Sequence, residues 1–280
     1  MSNLALIDAL KLNYTTKPNL FTMAIDLNKL AAKHAELNGG ARVQGNADFL
    51  SKFFQVPVGT SAVRILPPAD EDKEFYAETR IHRIAGPDGQ NRNVHCLKTH
   101  GEKCPLCDAY YELWDQVNSG KLSEEDAEKA KSLANKIRAR ERYYINILDR
   151  NSEDVKILSI GKMLFNKIIS TMLDDDYGDI SDVNEGFDFK IIKEQDSPRD
   201  WPKYDKSAAR PKSTPLGTDQ EISSIMESLH DIHGLVKKEE YEDVKKVAMQ
   251  VLGVPDPSEI VPTESAEVAD TGDYLSKMKS

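Results

Sequence analysis

Residues 95–107 have the sequence HCLKTHGEKCPLC, and this stretch holds all three cysteines of the 280-residue chain, Cys96, Cys104 and Cys107. The CxxC pair formed by Cys104 and Cys107 places two thiolates on one tight turn, and Cys96 offers a third. A nearby imidazole would complete a tetrahedral Cys3His set, for which zinc is the ion that fits best. Four filled positions leave no place for water. We therefore predict one structural zinc ion whose binding contributes to folding.

The fourth ligand is open among three histidines near the cysteines. His82 lies in a predicted strand before a hairpin loop, so folding of that hairpin would bring it beside Cys96. His100 lies between the cysteines in sequence, and His95 directly precedes Cys96. The residues by themselves do not choose among the three.

The strand and helix patterns around the cysteines favour a mainly β fold with helical insertions. Short runs rich in β-branched and aromatic residues are separated by turn residues, whereas other segments change to a helical period. We predict strands at 62–66, 75–84, 93–97, 142–149, 154–160 and 186–193, and helices at 105–117, 123–141, 161–173 and within 218–252. Short strands interrupted by a metal loop suggest an OB-fold barrel core with an inserted zinc subdomain and flanking helices.

This pattern divides the chain into four regions. The predicted regions are an N-terminal arm with a short helix (1–50), the OB-fold core (51–217), C-terminal helices (218–252) and an acidic flexible tail (253–280). Within the core we place the zinc element at about 82–107 and a helical insert at about 108–141.

The charge distribution is uneven, although the net charge is −10. Residues 136–167 carry eight basic and four acidic side chains, whereas residues 218–280 carry fourteen acidic and six basic ones. A basic middle with an acidic C-terminal third is typical of a nucleic-acid binder with a competing acidic arm. No apolar run approaches the ~20 residues of a membrane span. Three cysteines cannot all form disulfides, so we expect a cytoplasmic protein without a membrane partner.

Residues 136–144, KIRARERYY, combine arginines with aromatic rings. If the chain is extended from Arg140, alternation places Arg140, Arg142 and Tyr144 on one face and Tyr143 on the other. Guanidinium groups pair with phosphates and unstacked bases lie on aromatic rings, so this pattern is typical of a single-strand binder. The alternative is the basic end of a helix followed by a strand whose tyrosines are core residues.

A second basic and aromatic segment is WPKYDK, residues 201–206, within a loop predicted over 194–217. Trp201 and Tyr204 would serve as stacking platforms, with Lys203 and Lys206 neutralising phosphates. The alternative is a loop folded back on the barrel with Trp201 buried.

The order of these parts resembles the zinc-containing single-stranded DNA-binding proteins of tailed bacteriophages, the helix-destabilising proteins of their replisomes. The resemblance runs from about residue 26 to 217. It rests on DLNKLAAKHAELNGG as a cooperativity arm, SAVRILP as the first core strand, RIHRI with HCLKTHGEKCPLC as the zinc element, RARERYYINIL as the basic and aromatic strand, and FDFKIIKEQ with WPKYDKS as the last core strand and aromatic loop.

The resemblance implies a protein that binds single-stranded DNA cooperatively, with little sequence preference, in phage DNA replication, recombination and repair in the infected bacterial cell. It favours His82 as the fourth zinc ligand. It favours Tyr143 as a DNA contact, whereas strand alternation favours Tyr144, and both stay candidates. The DNA contacts implied by matching position are Arg138, Arg140, Arg142, Tyr143, Tyr144, Trp201 and Tyr204. Expected partners are further copies of the chain through the N-terminal arm and replisome proteins through the C-terminal region.

Two other function classes compete with this hypothesis. The first is a zinc-stabilised adaptor that binds replication proteins through its acidic C-terminal region. The second is a metal-dependent nuclease that uses Asp174, Asp175 and Asp176 with magnesium, although no motif of a catalytic site accompanies them. We therefore predict a protein that is not an enzyme.

Overall fold

The computed structural model describes residues 47–70, 72–85, 91–197 and 200–253. The chain divides into two compact units, residues 1–51 and 52–280. All helices and strands given below belong to the second unit. The predicted arm helix and the acidic tail lie outside the described residues, apart from the last few residues of the arm and the first of the tail.

Seven strands and five α-helices make up the second unit as described. The strands are β1 (Gly59–Ile65), β2 (Tyr76–Ala85), β3 (Asn91–His95), β4 (Ala139–Asp149), β5 (Asp154–Ile160), β6 (Phe187–Lys193) and β7 (Ala208–Ser213). The helices are α1 (Pro105–Asn118), α2 (Glu124–Ile137), α3 (Lys162–Met172), α4 (Asp219–Glu227) and α5 (Tyr241–Leu252). Short 3-10 helices span Leu97–His100 and His233–Leu235.

The seven strands form one antiparallel sheet in the order β3-β2-β4-β1-β6-β7, with β5 paired to β4. The long strand β4 organises this sheet. It pairs with β2 through residues 139–145 and with β1 through residues 147–149, whereas β5 pairs with residues 143–149. Because a strand has two edges, β2 and β1 follow one another along one edge and β5 occupies the other.

This architecture confirms the predicted mainly β fold with helical insertions. The OB-fold barrel stays a prediction, because within the described ranges no pairing joins β7 to β3 or β5 and closes the sheet. No helix in those ranges is long and apolar enough to cross a bilayer.

The apolar residues pack into two main clusters. In the first, Ile145 and Ile147 of β4 and Phe189 of β6 are fully buried together with one face of α3. The second cluster contains the three cysteines and residues of α1, α2 and α5, among them Ala134 and Val244. Each fully buried aliphatic side chain stabilises such a cluster by ~1.5–3 kcal/mol. We call the β2–β3 hairpin, α1, α2 and α5 the metal subdomain, which therefore includes a helix from the predicted C-terminal region.

Asp188 on β6 organises a buried ionic cluster inside the sheet. Its Oδ1 lies 2.9 Å from Nε of Arg150 and 3.4 Å from a guanidinium nitrogen of Arg64, which is completely buried. Arg64 also donates to the carbonyl of Thr214, and burial lowers its pKa although Asp188 opposes that shift. A buried guanidinium depends on such partners, so this cluster fixes β1 against β6.

Candidate metal centre and nucleic-acid interface

Four potential ligands come from three separate elements. His82 lies on β2, and Cys96 follows β3, where its N–H extends the hairpin by donating to the Arg80 carbonyl at 2.8 Å. Cys104 is the N-cap of α1, and Cys107 lies in the first turn of that helix. Pro105 occupies a position at the start of α1 where its missing N–H costs nothing, so the chain enters the helix directly after Cys104.

The ligand atoms of these four residues lie within 4.8 Å of one another. The Sγ atoms of Cys96 and Cys107 are 3.4 Å apart, and Nε2 of His82 lies 3.4 Å from Cys104 Sγ and 3.7 Å from Cys107 Sγ. Ligands at ~2.0–2.3 Å from a tetrahedral zinc ion would be separated by roughly 3.5–3.8 Å. The four residues are buried, and their atoms therefore fit a closed zinc site with no space for a substrate.

The backbone of α2 orients the histidine of this set. Nδ1 of His82 lies 2.6 Å from the carbonyl oxygen of Ile137, the last residue of α2. Because a carbonyl only accepts, Nδ1 carries a hydrogen, and Nε2 is the ring nitrogen that faces the thiols and would bind a metal after losing its own proton. Such second contacts fix the tautomer and the ring orientation of metal-binding histidines.

The pKa values of candidate ligands in the metal-free protein also indicate a site for a cation. Burial lowers the pKa of His82, but hydrogen bonds with Cys104, Cys96 and the Ile137 carbonyl outweigh burial and raise it to about 9. Hydrogen bonds with Cys107 and Cys96 lower the pKa of Cys104, whereas hydrogen bonds with Cys104 and Cys96 raise that of Cys107. The site thus pairs a thiolate with an imidazolium, and a divalent cation would displace the remaining protons.

The other two candidate histidines lie apart from this set. His95 is half-buried, with Nδ1 3.4 Å from Thr79 Oγ1, and burial lowers its pKa. The exposed His100 lies with Nε2 3.3 Å from the carbonyl of Lys237. The structure therefore brings only His82, among the three histidines considered, to the three cysteines.

The predicted basic and aromatic strand begins where α2 ends. Arg138 directly follows α2 in a non-helical conformation, and β4 then carries Arg140 and Arg142 on the same face, since they are two residues apart. Burial and the neighbouring Arg142, Arg138 and Arg83 lower the pKa of Arg140. The like charges are therefore close enough to destabilise one another. They form a cationic surface that is suited to bind an anion.

The arginines of the described ranges fall into two groups. Those of the first group pair with carboxylates: Arg64, Arg150 and Arg210 with Asp188, and Arg80 with Glu141. The second group has no acidic partner among the described residues and lies on β2, β3, β4 and the end of α2: Arg83, Arg92, Arg138, Arg140 and Arg142. Unpaired guanidinium groups are thus concentrated on one part of the sheet.

Trp201 lies beside this cationic surface and is 74% exposed. The guanidinium carbon of Arg140 is 4.8 Å from the centroid of its ring, which is a cation–π contact. A two-residue bridge between the backbones of Glu194 and Lys203 holds the turn, and the amide of Gln195 donates to the Asp200 carbonyl at 2.8 Å. The alternative of a buried Trp201 is excluded, because the ring projects from its loop.

The remaining candidates of this loop differ in their surroundings. Tyr204 is half-buried against the first core cluster. Lys206 forms an ion pair with Glu194, whereas the exposed side chain of Lys203 has no ion pair within the described ranges. Lys203 is therefore the more available of the two ammonium groups.

Both candidate tyrosines of β4 are buried. Tyr143 stacks on Phe165 of α3 with ring centroids 3.8 Å apart, and its exposure is 6%. Tyr144 is 9% exposed and contacts Phe53 edge to face at 6.2 Å. They lie on opposite faces of β4 as alternation predicts, but each face is covered. Base stacking on either ring stays a prediction that requires a change in this packing.

Comparison of the chain with models of protein families identifies a matching group. The family model described as "gp32 DNA binding protein like" matches residues 58–254, which is well over half of the chain. The chain belongs to this family. The match to the gp32-like family includes the metal centre, the arginine row, Trp201 and helix α5. A comparison with curated protein sequences found no significant match.

The acidic cluster considered for a nuclease lies in the turn that follows α3. Asp174 Oδ1 accepts the Asp176 N–H at 3.0 Å, and the Asp174 carbonyl accepts N–H groups of Tyr177 and Gly178 at 3.0 Å. These contacts explain Asp174 as a turn-forming residue.

Arg83 and Arg92 did not enter the sequence-based set of contacts. They flank the hairpin whose loop, residues 86–90, lies outside the described ranges. For Arg83 the signal in the sequence is its place directly after His82, and it can be interpreted only once β2 is paired with β4. Arg92 carries no such signal.

Proposed function

We propose that this gp32-like chain binds single-stranded DNA without enzymatic activity and with little sequence preference. The observation that carries the proposal is the exposed ring of Trp201 beside Arg140, on a surface of arginines that lack acidic partners among the described residues. Next to the ring, phosphates would pair with Arg140, Arg142 and Lys203, and bases would stack on Trp201. Arg138 would contact a strand that extends beyond Arg140. Because Arg140 already covers the ring, a base would replace the guanidinium, which then becomes available to a phosphate.

In this proposal zinc is the resident metal and its role is structural. His82, Cys96, Cys104 and Cys107 would hold it, and the metal would replace a larger apolar core in the metal subdomain. The support is the buried Cys3His set and its ligand spacing. Tyr143 and Tyr144 would act mainly through packing of β4, and Tyr204 and Lys206 would complete the aromatic loop.

The family membership supports a role in phage DNA replication, recombination and repair in the cytoplasm of the infected bacterium. Self-association along the strand would use the N-terminal arm, and replisome proteins would bind the C-terminal region. A chain that served only as an adaptor for replication proteins would not need a surface of unpaired arginines beside an exposed indole, so we rank that function second.

The proposal is tested by titrating fluorescent oligo(dT) and a matched duplex with the protein at low and moderate salt. We expect a preference for the single strand and an affinity that falls steeply with salt, because phosphate contacts release counterions. Equal binding to both nucleic acids, or binding to neither, would contradict the proposal. Failure to bind DNA with zinc bound would favour the adaptor.

A further inference from the structure

The metal centre and the cationic surface share one piece of backbone. His82 directs its ring to the cysteines, and the next residue on β2 is Arg83. Ile137 accepts the hydrogen bond from the ring of His82, and the next residue after α2 is Arg138. His82 and Ile137 therefore each directly precede an arginine that has no acidic partner among the described residues. The hydrogen bond between them joins the backbone next to Arg83 to the backbone next to Arg138.

Strand geometry places these arginines on the face that carries Arg140. Ile81 pairs with Arg140 across β2 and β4, and Arg83 is two residues further along β2. Paired residues and residues two apart share a face, so Arg83 and Arg140 project to the same side, opposite to His82. Arg138 is two residues before Arg140 and lines the same groove as Arg83 and Arg140.

Beyond Arg140 the same face forms a groove of about 610 Å³ between the hairpin and α2. Its lining includes Arg83, Asn91, Asn135, Lys136, Arg138 and Arg140. The acidic residue in its wall, Glu128, already pairs with Lys131. Guanidinium, ammonium and amide donors along an open groove suit the phosphates of an extended strand.

We propose that Arg83 and Arg138 form a second phosphate-binding segment and that the metal centre holds the two arginines at their spacing. A bound DNA strand would reach this segment beyond Trp201 and Arg140. This inference rests on the proposed function and adds to it a longer path across the metal subdomain. Arg83 and Arg138 are the phosphate contacts, and His82 is a positioning residue.

The test uses the full chain with its metal and oligo(dT) of ~4 to ~16 nucleotides. This is the range of site sizes for a single OB fold, the fold predicted for the core. The variant Arg83→Gln/Arg138→Gln should bind the shortest oligonucleotides like the unmodified protein and bind the long ones more weakly. On long strands its slope of log affinity against log salt should fall by ~0.7 for each lost phosphate contact, about 1.4 in total.

The matched control is Lys121→Gln, which removes an exposed charge near the other end of α2, ~20 Å from Arg138 along a helix of this length. A control and a double variant with the same salt slope would overturn the second segment. If the unmodified protein itself showed no preference for single strands, the proposed function would fail instead.

The positioning role is tested by removing the metal from both proteins. Loss of the metal should weaken long-strand binding by the unmodified protein much more than by the double variant, because the arginines through which the metal acts are then already absent. Equal effects of metal removal on the two proteins would overturn the positioning role.

Discussion

Nδ1 of His82 donates to the carbonyl of Ile137 at 2.6 Å, and this bond joins strand β2 to the last residue of helix α2. It leaves Nε2 free to complete the Cys3His set on one side of the sheet. On the other side, the residues that follow each partner are arginines of the cationic surface. In the arrangement proposed above, the metal centre would act on the DNA surface through the backbone of these residues rather than by contact with the nucleic acid.

Cys104→Ser is expected to abolish stoichiometric zinc binding and to lower the free energy of unfolding by at least ~3 kcal/mol. Structural zinc in small modules contributes ~10–16 kcal/mol of apparent binding free energy, much of which is folding free energy. Zinc content by atomic spectroscopy and thermal unfolding give the two values. His100→Ala is the control and should keep its zinc; a His82→Ala variant that binds zinc as tightly as the control would contradict the ligand set.

In the metal-free protein, His82 is expected to titrate near pH 9 and His95 below its ordinary pKa, as followed by NMR. A raised folded-state pKa means that the protonated His82 ring stabilises the metal-free fold fully below about pH 6.5 and that this contribution is lost as the pH rises through about 9. Zinc must displace this proton, so its affinity should rise about tenfold per pH unit up to that point from His82 alone. Titration of His82 below pH 7 would be inconsistent with the geometry.

Trp201→Ala is expected to weaken binding of oligo(dT) by ~1–3 kcal/mol, about 5- to 150-fold, through loss of one stacked base. The chain has two tryptophans, so a Trp114→Phe background makes the fluorescence report Trp201 alone. In that background oligo(dT) should quench the emission, whereas Trp114→Phe itself should leave the affinity unchanged. Unaltered affinity of Trp201→Ala would remove the stacking platform.

Tyr143→Leu and Tyr144→Leu are expected to act on stability, because both rings are buried and Tyr143 stacks on Phe165. Loss of such an aromatic pair costs ~0.5–1.5 kcal/mol beyond the area that is buried. Chemical denaturation measures this cost, and the oligo(dT) affinity of the folded variants should remain close to that of the unmodified protein. A large loss of affinity without a loss of stability would show that one of the rings stacks on a base after all.

Asp188→Ala is expected to lower the free energy of unfolding by ~3–5 kcal/mol, because the completely buried Arg64 would lose its ion pair. Glu194→Gln is the control, since it removes an exposed ion pair with Lys206 and should cost less than ~1 kcal/mol. Urea denaturation compares the two. Similar costs for both substitutions would mean that Arg64 finds other partners.

Local patterns in the sequence predict most of the elements. The alternation of apolar residues places β5 at 154–160, where the structure has it, and the capping residue Ser123 predicts the start of α2. The helical pattern predicted to 141 extends too far, because residues from Ala139 onwards pair with β2 and that pairing competes with the helix. The segment of β7 is predicted as loop, because Pro211 cannot donate a hydrogen bond within a sheet. In the structure β7 is the edge strand beside β6, where a proline is tolerated.

The sequence by itself determined the grouping of the three thiols, the arginine row and the aromatic loop, because closely spaced residues of fixed chemistry carry these features. Only the tertiary structure decided which histidine joins the thiols, that Trp201 is exposed whereas both β4 tyrosines are covered, and that Arg83 lies on the same face as Arg140. Each of these depends on the register between strands distant in the chain or on a helix packed across them. The packing of the whole core sets this register, and no local sequence pattern specifies it.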